Sequence, residues 1–295
     1  MKWSEASKGI MVEAVRSAGR NDITGRAAQL AYYFFLSLFP AMILVAASLG
    51  ILAGEGPKLR DELLGGLGTV LPETSFALVR DSFTQIVKSS NNGGLFTFGA
   101  LAALWSATAG VSAVQDALNS VYEVTEGRPY WKRSLIAILL TLSFLVLALA
   151  AGAATLLGAY LPHLLASTKL SAAASLTWHA AEWVVILFLL SMIFAVTYYL
   201  GPDVEQPKWR WITPGAGVGI LTWIGASLAF RIYLHHFDSY TKTYGSIGAV
   251  MILLLWLYVS GLALLFGAEI NSAAENQSAK QGNPDAKEKG EKVPG

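Results

Sequence analysis

The apolar positions of this chain gather into six long, nearly charge-free runs: about Leu30 to Leu52, Leu95 to Ala117, Leu135 to Tyr160, Trp183 to Leu200, Trp211 to Phe230 and Ile247 to Ala268. A hydrocarbon layer about 30 Å thick is crossed by roughly 20 helical residues rising 1.5 Å each, so every run is of spanning length. The pattern predicts an all-α membrane protein with six transmembrane helices, the spanning domain occupying residues 27–272.

Other segments read differently. Ahead of the first run, Trp3, Ile10, Met11, Ala14 and Ala18 recur at helical spacing while Lys2, Lys8, Arg16 and Arg20 face elsewhere, which predicts an amphipathic basic helix within residues 1–26. It either lies in the interface of the inner leaflet or packs on cytoplasmic loops. The first external loop, about residues 54–93, is too long to be structureless. From Pro72, its Phe76, Val79, Phe83, Ile86 and Val87 trace one apolar face, so a helical loop capping the outer end of the bundle is expected. Residues 273–295 carry little to bury and are expected to form a disordered cytoplasmic tail.

Orientation follows from the basic residues between the runs. Two thirds of the 21 Lys and Arg fall in one alternate set of flanking segments, including Lys2, Lys8, Arg16, Arg20, Arg26, Arg128, Lys132, Arg133, Lys208 and Arg210. Positive segments stay inside, so both termini are expected in the cytoplasm of a bacterial inner membrane. Composition agrees: of 295 residues 54% are hydrophobic and 14% charged, with a mean hydropathy of +0.49, too apolar for an ordinary soluble domain. A balance of 21 basic to 20 acidic residues gives no reason to expect nucleic acid as a partner. The absence of cysteine removes disulfides, thiolate metal sites and cysteine nucleophiles. The N-terminal residues lack the apolar core and cleavage site of a signal peptide, so the first run is expected to direct insertion.

Polar groups within the runs are the internal clues to function, because hydrocarbon tolerates them only when partnered. Gln29, Tyr33 and Ser37 share a face one turn before Pro40, whose missing amide hydrogen should kink the first helix near Leu36. This face is either a gate or binding wall, or a helix–helix seam, and the seam is preferred. Trp105, Thr108, Ser112, Gln115, Asn119 and Tyr122 form a longer stripe on the second helix, whose lower end lines either a cytoplasm-facing cavity or a polar seam. Thr213-Pro214 opens the fifth helix as a cap followed by proline, and Gly215 with Gly219 permits close helix contact. Arg231, near the outer edge, can meet an anionic head group or snorkel. Glu269, near the inner end of the sixth helix, bonds a neighbouring helix terminus or serves a proton or cation pathway.

No P-loop, H-E-x-x-H or G-x-S-x-G occurs, and His235, His236 and Asp238 do not converge as metal ligands. No catalytic residue, metal or cofactor is implied.

Several stretches together carry a resemblance: Ala31-Tyr32-Tyr33-Phe34-Phe35-Leu36-Ser37-Leu38-Phe39-Pro40, Trp105-Ser106-Ala107-Thr108, Ala117-Leu118-Asn119-Ser120-Val121-Tyr122, Tyr244-Gly245-Ser246-Ile247-Gly248, Leu255-Trp256-Leu257-Tyr258 and Gly267-Ala268-Glu269-Ile270-Asn271. In order and spacing, from about Thr24 to Asn271, the chain resembles the YihY/BrkB family of bacterial inner-membrane proteins. That resemblance implies six spans and a role in the cell envelope; the family is named after a virulence factor linked to serum resistance, and some members are connected with envelope lipid or lipopolysaccharide export. Members often carry the label ribonuclease BN, which this chain fits poorly, since no cluster of ligands for activating water is evident. The expected partners are membrane lipids, a lipid or amphipathic substrate, and a second copy or other envelope proteins. The rival readings are a lipid-modifying enzyme using Glu269 or His235 as proton carrier, and a scaffold without transport.

Overall fold

The computed structural model describes residues 3–53, 77, 80–81, 93–164, 171–205, 213–236 and 239–293. Among these residues the chain forms seven long α-helices and no strand: α1 (Trp3–Arg20), α2 (Ile23–Ala53), α3 (Gly93–Val121), α4 (Tyr130–Leu164), α5 (Ser171–Leu200), α6 (Pro214–His236) and α7 (Ser239–Lys280). The expected helix from Pro72 falls almost wholly outside the described residues, of which 77, 80 and 81 are helical.

Local chemistry sets the helix ends. The Asp22 carboxylate accepts from the Gly25 amide at 3.1 Å, capping α2. Thr213 Oγ1 accepts from the Ala216 amide at 3.1 Å, the cap expected ahead of Pro214. At the end of α3, Glu123 takes a left-handed φ of 58°, and the Val124 amide folds back to the Asn119 carbonyl at 2.9 Å.

Helices α2 to α7 pack in a closed circuit, each on its neighbour in sequence and α7 returning to α2; α3 also meets α7 across the middle. The shared core holds Leu30, Leu118, Val121, Phe194 and Leu265. Outward faces carry large exposed apolar side chains, among them Leu101, Val146, Val184, Phe188, Leu228 and Met251. A folded chain in water would bury these; a bilayer solvates them. Hydroxyls on the same helices turn back on their own backbone, as Thr141 does on Ala137 at 2.8 Å and Ser191 on Leu187 at 2.8 Å. Four helical stretches among the described residues are long and apolar enough to cross a membrane: Tyr130–Ala154, Trp183–Leu200, Pro214–Tyr233 and Ile247–Lys280. The first two apolar runs of the sequence fall within α2 and α3, helices of 31 and 29 residues.

Close approach of α6 to α7 depends on glycine. A side chain at Gly215 would collide with the Gly267 carbonyl and Asn271, and one at Gly219 would meet Phe194 and the Ala263 carbonyl. Gly110 does the same for α2 and α3, where Ser37 and the Tyr33 carbonyl lie opposite.

The helix expected ahead of the first run forms as α1, and one face of it packs on α7 rather than on loops: Ala14 is fully buried against Ile270 and Ala273 of α7, with Ile10 beside them, while Met11, Val12 and Val15 remain exposed. The C-terminal segment departs from the expectation. Residues 273–280 are not tail but the last turns of α7. Residues 281–293 then fold back over the end of the bundle with Lys287 only 3% exposed.

Candidate functional site

Charged groups converge at one end of the circuit, where α1, the α3–α4 turn, the α5–α6 loop, the end of α7 and the returning C-terminal segment meet. Arg128 organises one side. Its guanidinium donates to both Glu126 carboxylate oxygens at 2.7 Å and to the Leu200 and Gly201 carbonyls at 3.2 and 2.9 Å. It thereby ties the α3–α4 turn to the exposed carbonyls ending α5. Asn119 completes the arrangement, donating to Glu126 at 2.9 Å and accepting from the Asp203 amide at 2.6 Å. Burial alone would raise the Glu126 pKa, but hydrogen bonds from Arg128 and Asn119, with the Arg128 charge, hold it near 2.

The C-terminal segment supplies three lysines to three acidic seats. Lys287 pairs with Glu275 and donates to the Glu205 carbonyl at 2.6 Å. Lys292 pairs with Asp203. Lys289 donates to Ser17 at 2.5 Å and lies 3.5 Å from Glu123 and 3.7 Å from Glu269. Two backbone bonds fix the register, from the Gly290 amide to the Tyr122 carbonyl and from the Glu205 amide to the Lys292 carbonyl. Glu269 is fully buried and accepts from Asn21 of the α1–α2 link at 2.7 Å.

Beside this network lies a cavity of about 190 Å³, bounded by Tyr122, Tyr199, Thr213, Asn271, Glu275 and Ala286 among others. Its wall is mixed, with tyrosine rings, Pro214 and alanines together with carboxylates and amides. Asn271 fixes the mouth, accepting from the Gly215 amide at 2.8 Å and donating to Thr213 at 2.9 Å. Burial, and then the nearby Glu275 and Glu269 carboxylates, push the Tyr122 phenol pKa up, so it stays protonated as a donor.

Of the residues singled out from sequence, Asn119, Tyr122 and Glu269 come together here. Gln115 is fully buried one turn above, its Oε1 without a hydrogen-bond partner. Thr108 and Ser112 bond back to their own helix, and Tyr33 and Ser37 lie at the α2–α3 crossing by Gly110. Pro40 sits inside α2, which continues helical through it. Gln29 and Trp105 point outward. Arg231 is exposed on α6, 17 residues and so roughly 26 Å along the helix from Pro214. Sequence reasoning missed Asn21, Glu123, Glu126, Asp203 and Glu275 as site residues and counted the tail lysines only as topogenic charge. Their one local signal is the concentration of acids in the α3–α4 turn, Glu123 and Glu126 beside Arg128.

The model of a family described as "Virulence factor BrkB" matches residues 14–292. The chain is 34% identical over 250 residues to a "Putative ribonuclease-like protein YfkH" of Bacillus subtilis, covering 84% of this chain and 88% of that protein. It is 25% identical over 288 residues to a "UPF0761 membrane protein" of Pseudoalteromonas atlantica, covering 92% and 90%. A "UPF0761 membrane protein" of Xanthomonas oryzae is 28% identical over 252 residues, covering 84% of this chain but 56% of that protein. No solved structure matches the chain.

Proposed function

Because this chain belongs to the virulence factor BrkB family of membrane proteins, we propose that it is a six-span protein of the bacterial inner membrane that moves a lipid or other amphipathic solute for the cell envelope. In this reading both termini and the charged end of the circuit face the cytoplasm, and the exposed Met11, Val12 and Val15 of α1 rest on the inner leaflet.

The observation that carries the proposal is the cavity beside Tyr122. It sits at the end of four helices, is lined by aromatic and aliphatic groups together with Asn271 and Glu275, and so suits a molecule with an apolar body and a polar head. The outward-facing Gln29 and Trp105 then act at the lipid boundary rather than in the route. A route through the gap between helices also accounts for the polar floor without asking for a catalytic group.

The test is movement of a fluorescent short-chain lipid across reconstituted vesicles. The wild-type chain should accelerate it over protein-free vesicles, and Ala274→Phe, which fills the cavity, should remove most of the gain. Equal rates with and without protein, across zwitterionic and anionic probes, would overturn the reading. RNA cleavage tracking the purified protein, the activity that the name of the Bacillus relative suggests, would replace it.

A further inference from the structure

We propose that the Lys289 position is a binding site for a primary ammonium group, and that the lysine of the C-terminal segment is its built-in occupant. The inference deepens the transport reading above, since it assigns a head-group chemistry to the amphiphile.

The seat has the number and kind of acceptors an ammonium needs. The Lys289 ammonium donates to Ser17 Oγ at 2.5 Å and lies 3.5 Å from the Glu123 carboxylate and 3.7 Å from that of Glu269. The Ser17 hydroxyl is saturated by this arrangement: it donates to Glu13 at 3.3 Å and accepts from both Arg20 and Lys289. Three carboxylates, Glu13, Glu123 and Glu269, stand against two cations, Arg20 and Lys289. Acidic side chains therefore outnumber cationic ones around the seat while it is occupied, and more so when Lys289 leaves.

A second observation singles out Glu269. Its side chain is completely buried, one oxygen is held by Asn21, and the other, Oε2, has no hydrogen-bond partner among the described residues and lies 3.7 Å from the Lys289 ammonium. A buried carboxylate oxygen of this kind calls for a cation, and the one paired with it among the described residues arrives on the C-terminal segment. That element, residues 281–293, is held by side-chain ion pairs and a few backbone bonds rather than by a packed helix face. Tyr122 and Glu275 line both the amphiphile cavity and a small space of about 10 Å³ bordered by Lys289, which sets the seat beside the cavity. A quaternary ammonium has no N–H to offer Ser17 and is bulkier, so the seat should reject it.

The decisive experiment uses the full chain with Lys289→Met, which keeps side-chain length and removes the charge. In phosphatidylcholine nanodiscs, ethanolamine should raise the melting midpoint of Lys289→Met by several degrees and leave the wild type nearly unmoved, with choline at equal ionic strength inert. Adding Glu269→Gln should abolish the response. Independently of any destabilised lysine variant, Ala286→Cys, buried within the segment itself, should react faster with a maleimide at ethanolamine concentrations high enough to compete with Lys289. Replacing phosphatidylcholine with phosphatidylethanolamine separates the sources: stabilisation by the lipid alone assigns a lipid head group, and stabilisation by the free amine alone assigns a soluble one. Silence of Lys289→Met to both probes, with no change in Ala286→Cys labelling, would overturn the site. Amine binding without lipid flux would instead leave the site standing and remove the transport reading.

Discussion

Replacing Arg128 with alanine tests whether the charged end is held by its ion network. The side chain is 8% exposed and joins Glu126, Asp203 and the last carbonyls of α5. Its removal leaves Glu126, 17% exposed, without its main cation, and Asp203, 17% exposed, with Lys292 as its remaining partner. Breaking a buried pair from one side costs about 3–5 kcal/mol, and the residual exposure of both acids argues for the lower end, about 3. The Glu126 pKa gives a second measure: a fall from 4.5 to about 2 corresponds to about 3 kcal/mol at most. Solvent screening reduces that share, so the two measures agree on roughly 2–3 kcal/mol. The sign is fixed by the direction. A carboxylate with a depressed folded pKa stabilises the fold fully above about pH 4.5 and loses that contribution as pH falls toward 2. Arg128→Ala should therefore unfold earlier in a denaturant titration in mixed micelles at pH 7, and the wild-type advantage should shrink from pH 4.5 downward. Arg128→Lys, which cannot fork across Glu126, should recover only part of the loss. Equal stability of wild type and Arg128→Ala at pH 7, or a difference independent of pH, would refute the reasoning.

Further outcomes follow from the same contacts. Gly215→Val places a side chain into the Gly267 carbonyl and should cost about 3 kcal/mol, read as a lower melting midpoint. Gly217→Ala, with open space around it, should be neutral or stabilise by about 0.5–1 kcal/mol in the same assay. Asn119→Ala loses its bonds to Glu126 and the Asp203 amide and should cost about 1–3 kcal/mol; Asn119→Asp should be worse, because it sets a second carboxylate against Glu126. Gln29→Ala and Trp105→Leu face outward, and should leave the flux of reconstituted vesicles within about twofold.

Hydrophobic run length made the helices legible in advance, because a bilayer imposes a minimum span on any chain that crosses it. The Thr213 cap and the Gly215–Gly219 contact were legible for a related reason: each is a local demand of backbone geometry. The family resemblance drawn from motifs such as Gly267-Ala268-Glu269-Ile270-Asn271 agrees with the match over residues 14–292. The acidic seats were not legible, since Asn21 meets Glu269 across 248 residues and Lys289 meets Ser17 across 272. Composition correctly reports that residues 281–293 have little apolar surface to bury. It cannot report that their lysines find carboxylates contributed by α7 and two loops and a hydroxyl of α1. The exposed Leu and Phe of the outer faces mislead in the opposite direction only if water is taken as the solvent.

The account turns on an amphiphile cavity that opens to the cytoplasmic side, and the cysteine-free sequence allows this to be measured directly. Ser278→Cys places one thiol on the cavity wall. A membrane-impermeant maleimide should label it in inverted vesicles but not in intact spheroplasts, and a short-chain amphiphile should slow that labelling. Labelling of intact spheroplasts from outside, or a rate in inverted vesicles indifferent to amphiphile, would contradict the account.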